Sequence, residues 1–264
     1  MTGALNGGTR LFPIIGDPIV YVKSPERLTR SFADRNMNAI CIPMQVAEER
    51  LGDVMQGLSA IGNIDGLLVT MPHKAAAFGY RTTYSERARL LKVVSVMRRN
   101  PDGSWHGDML DGLAFVKAQI DQGADPGGAR ALLVGAGGAG SAIAIALLEA
   151  GVGELVIHDS HKACAEELLA TGASLGRGKV RLGPPNPTGC DLVFNATPMG
   201  MTKSDAFPVD VALLDASMFV GDVIAGHGTT PFLRAAQAAG CRTANGDQMV
   251  EAVQDMMVEF MLAR

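Results

Sequence analysis

Residues 131–151, "ALLVGAGGAGSAIAIALLEAG", limit the possible folds more than any other stretch of the chain. An apolar run with strand character, Ala131–Val134, leads into Gly135-Ala136-Gly137-Gly138-Ala139-Gly140 and then into a small-residue run of helical length. This is G-x-G-x-x-G set between a strand and a helix, and each glycine has its own reason to be there. Gly135 permits the tight turn, Gly137 lets backbone approach a pyrophosphate, and Gly140 lets the helix pack on the strand. The helix start adds unbonded N–H groups and a partial positive charge. "ELVIHDS" (154–160) reads as the next strand, and Asp159 closes it. An acid there, about 20 residues past the turn, accepts hydrogen bonds from an adenosine ribose. The expected cofactor is therefore NAD or NADP. NAD is favoured because a 2′-phosphate would meet the Asp159 carboxylate as a like charge and no arginine stands at this strand end, although His161 and Lys162 soften the repulsion.

The remainder of the chain alternates strands and helices. Before the glycine turn come the strand-like runs 10–19, 39–46 and 66–70, with helical patterns at 24–36 and 48–62 between them. In "SPERLTRSFADRN" the order of Ser24, Pro25 and Glu26 predicts an N-cap, a first helical position and a first-turn acid. Asn100-Pro101-Asp102-Gly103 predicts a hairpin inside residues 93–110. Strands continue after the turn, and a last helix is expected over 247–264. A boundary near residue 110 gives two α/β domains, 1–110 and 111–245, with a cleft between them.

Composition excludes several functions. Net charge is −4 with the two signs interspersed, so there is no basic stripe for nucleic acid and no cationic block for a membrane surface. No run approaches the roughly 18 apolar residues of a span. The opening "MTGALNGGTR" lacks a charged head and apolar core, so no secretory leader is expected and the chain reads as cytoplasmic. Cys41, Cys164, Cys190 and Cys241 have no C-x-x-C spacing. They read as reduced thiols, with no metal site.

With "GLLVTMPHK" (66–74) and "GDMLDGLAF" (107–115) ahead of the glycine turn, the chain resembles the shikimate/quinate dehydrogenase family. "GDPIVYVKSPERLTRSF", "FNATPMGM", "GDVI…TTPFLRAAQAAG" and "NGDQMV" follow the family's motifs in the same order. The resemblance implies an N-terminal α/β substrate domain and a Rossmann-type doubly wound dinucleotide domain, with a C-terminal helix (246–264) returning to the first. It implies hydride transfer between a nicotinamide and a hydroxylated cyclic carboxylic acid, shikimate/3-dehydroshikimate being the preferred pair, by a monomer or homodimer. Carried over residue by residue, Lys74 is the acid/base and Asp111 its partner. Substrate contacts fall on Ser24, Thr70, Ser95, Gln254 and Tyr21; Asn195, Thr197, Met201, Gly221 and Met249 join the glycine turn and Asp159 on the cofactor side. The chemistry also stands on its own. Oxidising a secondary alcohol needs a group to take the hydroxyl proton, and partial burial of an ammonium favours release of its proton while a nearby carboxylate orients it. Each residue also has a simpler role: a snorkelling lysine, an N-cap for Asp111, a packed strand-end Thr70.

The departures from the family pattern lie in the substrate set. Val22 stands for the first serine of S-x-S-P, and Leu68 for an asparagine. Ser95 replaces another asparagine, Met109-Leu110 stand for N-T, Ala225 for a tyrosine, and Val253 occupies the place of the glutamine, one residue before Gln254. A polar site that loses its partners discriminates steeply. Two substrate classes stay open: a shikimate-like acid held by fewer groups, or quinate or another less hydroxylated substrate, with Tyr21 and Lys23 offering new contacts. A non-catalytic dinucleotide-binding regulator and a methylenetetrahydrofolate dehydrogenase-like enzyme also stay open as competing functions.

Overall fold

The computed structural model describes residues 5–263; residues 1–4, within the segment expected to hold no leader, and Arg264, at the end of the expected last helix, lie outside them. Contacts divide the chain between Leu110 and Asp111, with the stretch from Gln254 onward counted with the first unit. Residues 246–253, expected to belong with that C-terminal segment, count with the second.

In the first unit the apolar run RLFPIIG forms β1 (Arg10–Gly16), followed by α1 (Ser24–Asp34) and β2 (Ala39–Gln45). Next come α2 (Leu51–Ala60), β3 (Gly66–Val69) and the single turn α3 (Lys74–Ala77). A two-residue strand β4 (Thr83–Tyr84), α4 (Glu86–Leu91), β5 (Val96–Arg99) and β6 (Trp105–Asp108) complete it. The strand order is β2-β1-β3-β5-β6-β4. β1 runs parallel to both β2 and β3, whereas β5 is antiparallel to β3 and to β6. β1 and β3 are largely buried, as continuous apolar runs predict, whereas β2 exposes Pro43 and Gln45. β3 is buried at every position, Leu68 included. The hairpin turn falls where Asn100–Gly103 predicts it, with Gly103 at positive φ. β4 has no sequence signature: both of its residues are exposed on the sheet edge.

The second unit opens with α5 (Asp111–Asp121) and β7 (Arg130–Val134), then α6 (Gly138–Glu149), β8 (Glu154–His158) and α7 (Lys162–Ser174). β9 (Lys179–Leu182), β10 (Leu192–Asn195), β11 (Phe219–Asp222), α8 (Pro231–Ala238), β12 (Arg242–Ala244) and α9 (Gly246–Leu262) follow. The order β12-β11-β10-β7-β8-β9 is wholly parallel. Strand order reverses between β7 and β10, and ligands of doubly wound sheets bind outside the carboxyl ends of the strands at that reversal. Phe115 of α5 meets Phe194 of β10 edge to face, with centroids 5.4 Å apart, inside the core on one side of the sheet.

An ion pair with a buried carboxylate and a partly exposed guanidinium ties the first unit together just ahead of Asp111. The Asp108 carboxylate pairs with Arg87 at 2.6 Å, accepts from the Met109 N–H at 2.7 Å and takes the hydroxyl of Ser85, the N-cap of α4. Removing one partner leaves a charge buried and uncompensated, so Arg87→Ala is expected to cost about 3 kcal/mol in denaturant unfolding; a loss below about 1 kcal/mol would show the pair to be solvent-screened. Burial also pushes the Cys41 thiol up to about 12, and raises Cys190 and Cys241, whereas Cys164 is exposed. A native thiol titration is therefore expected to show a single fast group, lost in Cys164→Ser.

Candidate functional site

The glycine turn sits at the reversal point of the second sheet. Gly135 has φ +108°, and its N–H donates to the His158 carbonyl at 2.8 Å. A Cβ at Gly140 would lie 1.9 Å from the Gly135 carbonyl oxygen, so only glycine lets α6 approach the turn this closely. Gly137 and Gly138 differ: a Cβ on either would meet nothing within 4 Å. The turn is thus closed by protein at its first and last glycines and open at its middle two, beside the exposed Ala139. Gly137 caps α6 without a side-chain hydrogen bond, which leaves first-turn N–H groups for an anion. The arrangement fits a pyrophosphate.

Asp159 braces this turn. Its Oδ2 accepts the Ala136 N–H at 2.6 Å and its Oδ1 the His161 N–H at 2.7 Å. Burial alone would push the carboxyl up; the two backbone donors and the neighbouring His161 outweigh it and hold the group below the usual carboxylate range. A cavity of about 550 Å3 opens beside it, lined by Gly135, Asp159, Thr197, Met199, Phe207 and Asp210 among others. Met199, Phe207 and Asp210 carried no sequence signal, because loop residues join a cavity only through the fold.

Asn195 ends β10 fully buried. Its amide fixes the turn that follows, accepting the Thr197 N–H at 3.0 Å and hydroxyl at 2.7 Å and donating to the Met199 carbonyl at 3.0 Å. Met201 is half-buried beyond that turn, and Met249 packs against the core of the second unit. Gly221, expected beside the nicotinamide, has a packing reason: a Cβ there would lie 2.1 Å from Gln119 Oε1 and 2.8 Å from Phe194. Burial pushes the Asp222 carboxyl up, against the pull of hydrogen bonds from Thr230, Ile224 and Asn195.

In the first unit the expected acid/base and substrate residues gather at one end of the sheet. Thr70 follows β3 directly and donates its N–H to the Ile15 carbonyl of β1 at 3.0 Å. Lys74, half-buried, starts α3, and its carbonyl accepts the Val94 N–H at 3.0 Å. Ser95 is fully buried before β5; its carbonyl accepts the Val69 N–H and its Oγ the Leu110 N–H, both at 2.9 Å. The hydroxyl expected to meet substrate is thus also an internal strut. Ser24 and Tyr21 belong to the segment after β1, at the same end. The predicted N-cap at Ser24 is displaced by one residue: Lys23 occupies the cap, with no side-chain cap bond, and Ser24 is the first helical residue. Tyr21 is 81% exposed. Gln254 is nearly buried on the α9 face that also carries Met261. His73, beside Lys74, has no signal in the sequence; its ring is buried, with Nε2 2.7 Å from the Val46 carbonyl oxygen, and it fixes the start of α3. Asp111 opens α5 in the second unit, half-buried.

The two kinds of glycine in the turn separate experimentally. Gly140→Ala is expected to lower the unfolding midpoint because a carbonyl occupies the new methyl's space. Gly137→Ala is expected to keep wild-type stability and lose dinucleotide binding by about tenfold or more in a titration.

Residues 14–97 match the shikimate dehydrogenase substrate binding domain family. A shikimate dehydrogenase (NADP(+)) from Rubrobacter xylanophilus is 34% identical over 252 residues, covering 93% of this chain and 88% of that protein. The solved shikimate 5-dehydrogenase of Listeria monocytogenes, in complex with shikimate and NAD, superposes with a TM-score of 0.91 at 27% identity, covering 99% of this chain and 94% of that one. The ligand-free 5-ketofructose reductase of Gluconobacter sp. strain CHM43 superposes with a TM-score of 0.88 at 27% identity, covering 97% and 94%. Identity of this extent, over a chain whose second sheet is doubly wound and whose motifs keep the family order, makes this protein a member of the shikimate dehydrogenase family.

Proposed function

We propose that the protein is an NAD(P)-dependent oxidoreductase acting on a hydroxylated cyclic carboxylic acid, with shikimate/3-dehydroshikimate as the preferred pair. The observation that carries this reading is the convergence of Thr70, Lys74 and Ser95 at one end of the first sheet, within the stretch that matches the family's substrate binding domain. The nicotinamide, when bound, supplies the hydride acceptor. Lys74 takes the hydroxyl proton during oxidation and returns one to the carbonyl oxygen during reduction, with Asp111 as its partner. The Thr70 and Ser95 hydroxyls, with Ser24, Tyr21 and Gln254, orient the substrate. The turn from Gly135 to Gly140 and the Asn195–Met201 segment receive the dinucleotide.

NAD is the preferred cofactor in this reading. Both Asp159 and Asp210 line the cavity beside the turn, and no lysine or arginine is among its lining residues. A 2′-phosphate would enter against two carboxylates, a repulsion that His161 and Lys162 near the strand end only soften. The relative from Rubrobacter carries NADP(+) in its name, so this preference separates the present chain from it. We place the protein in the cytoplasm as a monomer or homodimer with reduced thiols; all four cysteines are free, and among the described residues no helix is long and apolar enough to cross a membrane.

A second substrate class has support in the apolar positions of the first unit. Leu68 and Leu110 are buried where the family carries polar residues, and the 5-ketofructose reductase shares the fold closely. A polyhydroxylated ketone without a carboxylate is the alternative. Initial rates with shikimate, quinate and keto sugars distinguish the two: the first reading expects the highest kcat/KM with shikimate, and a preference for keto sugars would replace it. Tight dinucleotide binding without turnover of any of them would point to a regulator.

Lys74→Ala is expected to lower kcat by about 10²–10⁴-fold while the dinucleotide Kd changes by less than about twofold; equal losses in both would make Lys74 structural. Asp159→Asn removes the charge but keeps one acceptor for the backbone. It is expected to narrow the NAD-to-NADP ratio of kcat/KM by about tenfold, and an unchanged ratio would remove Asp159 from cofactor choice.

A further inference from the structure

Asp222 ends β11 without exposure, and no ion pair among the described residues involves it. A carboxylate held this way is costly unless its oxygens are hydrogen-bonded. Here Oδ2 accepts the Thr230 hydroxyl at 2.8 Å, and Oδ1 accepts the Asn195 amide at 3.1 Å and the Ile224 N–H at 3.2 Å. The Thr230 oxygen in turn accepts the Leu233 N–H at 3.3 Å and caps α8. The chain of bonds thus joins the segment after β11 to the turn after β10, and both leave the carboxyl edge of the sheet where a dinucleotide binds.

The chemical identity of Asp222 matters because both of its oxygens act as acceptors in these bonds, which an amide cannot do on both sides. It forces Asn195 to present its NH2 to Asp222 and to the Met199 carbonyl, and this leaves Asn195 Oδ1 for the Thr197 N–H and hydroxyl. Thr197 Oγ1 then accepts the Met199 N–H at 3.1 Å, and Thr197 and Met199 both line the cavity beside the glycine turn. With an amide at position 222, one of the faces now accepting from Thr230, or from Asn195 and Ile224, becomes a donor. The orientation of Asn195 is then no longer imposed.

From this geometry we infer that Asp222 is a positioning residue for the dinucleotide: through the orientation of Asn195 it holds the Thr197–Met199 turn in its binding shape. The inference rests on the dinucleotide reading of this unit. Calorimetric titration of NAD into the full-length wild type, D222N, T230V and T230S, at a temperature where each is folded, tests it. D222N is expected to bind NAD about tenfold more weakly, and T230V, which removes one partner and keeps the carboxylate, about threefold to tenfold more weakly. T230S, which keeps the hydroxyl, is expected to stay within about twofold of wild type. In turnover, KM for the nucleotide rises by the same factors while KM for the alcohol stays within about twofold. Wild-type NAD affinity in a folded but less stable D222N or T230V would overturn the inference and leave the network a purely structural one. Should D222N not fold, T230V decides. A wild type that binds neither NAD nor NADP would refute the dinucleotide reading itself.

Discussion

A carbonyl oxygen stands 1.9 Å from where Gly140 would carry a Cβ, and the second unit is organised around that contact. Because α6 comes this close to the turn, its first-turn N–H groups lie at the carboxyl edge of β7 and point out of the sheet. Because Gly135 takes positive φ under the Ala196 carbonyl, the turn and the segment after β10 meet at the reversal of strand order. The middle glycines are then left facing open space. Closed ends and an open centre suit a phosphate, and packing alone does not require glycine at the middle positions.

Around that turn, polar groups act as braces rather than as isolated contacts. Asp159 joins the glycine turn to the start of α7, and Asp222 joins the segments after β10 and β11. Asp159 does so with two backbone N–H donors at the rim of the turn, and Asp222 with two N–H donors and one hydroxyl in the interior, where hydrogen bonds offset part of the cost of burying the group. The first unit uses the same device at Asp108, with Arg87 as counter-charge because that group is equally buried but has fewer neutral donors.

Several roles visible in the sequence acquire a second meaning in three dimensions. Ser95 is both a candidate substrate contact and the acceptor of the Leu110 N–H. Leu68 is also a core residue of β3, paired with Ile14 on one side and Val96 on the other. The loss of an asparagine there changes the strand interior as much as any ligand contact. Gly221 is explained by the Gln119 side chain packed over it.

The sequence by itself determined the α/β alternation, the break near residue 110 and the glycine turn, because these depend on local periodicity, on the φ freedom of glycine and on contacts within about ten residues. It also singled out Lys74 and Asp159, since a charged group at the end of an apolar strand stands out along the chain. Only the tertiary structure decided the order of the strands and so the reversal point between β7 and β10. Only it brought Met199, Phe207 and Asp210 to the cavity, seated β4 on the sheet edge, and bound Asp222 to residues 27 positions earlier and 8 later. Such pairings leave no local trace: a hydrogen bond between distant segments is fixed by how the sheet is ordered, and neither partner's neighbours in the chain carry a record of it.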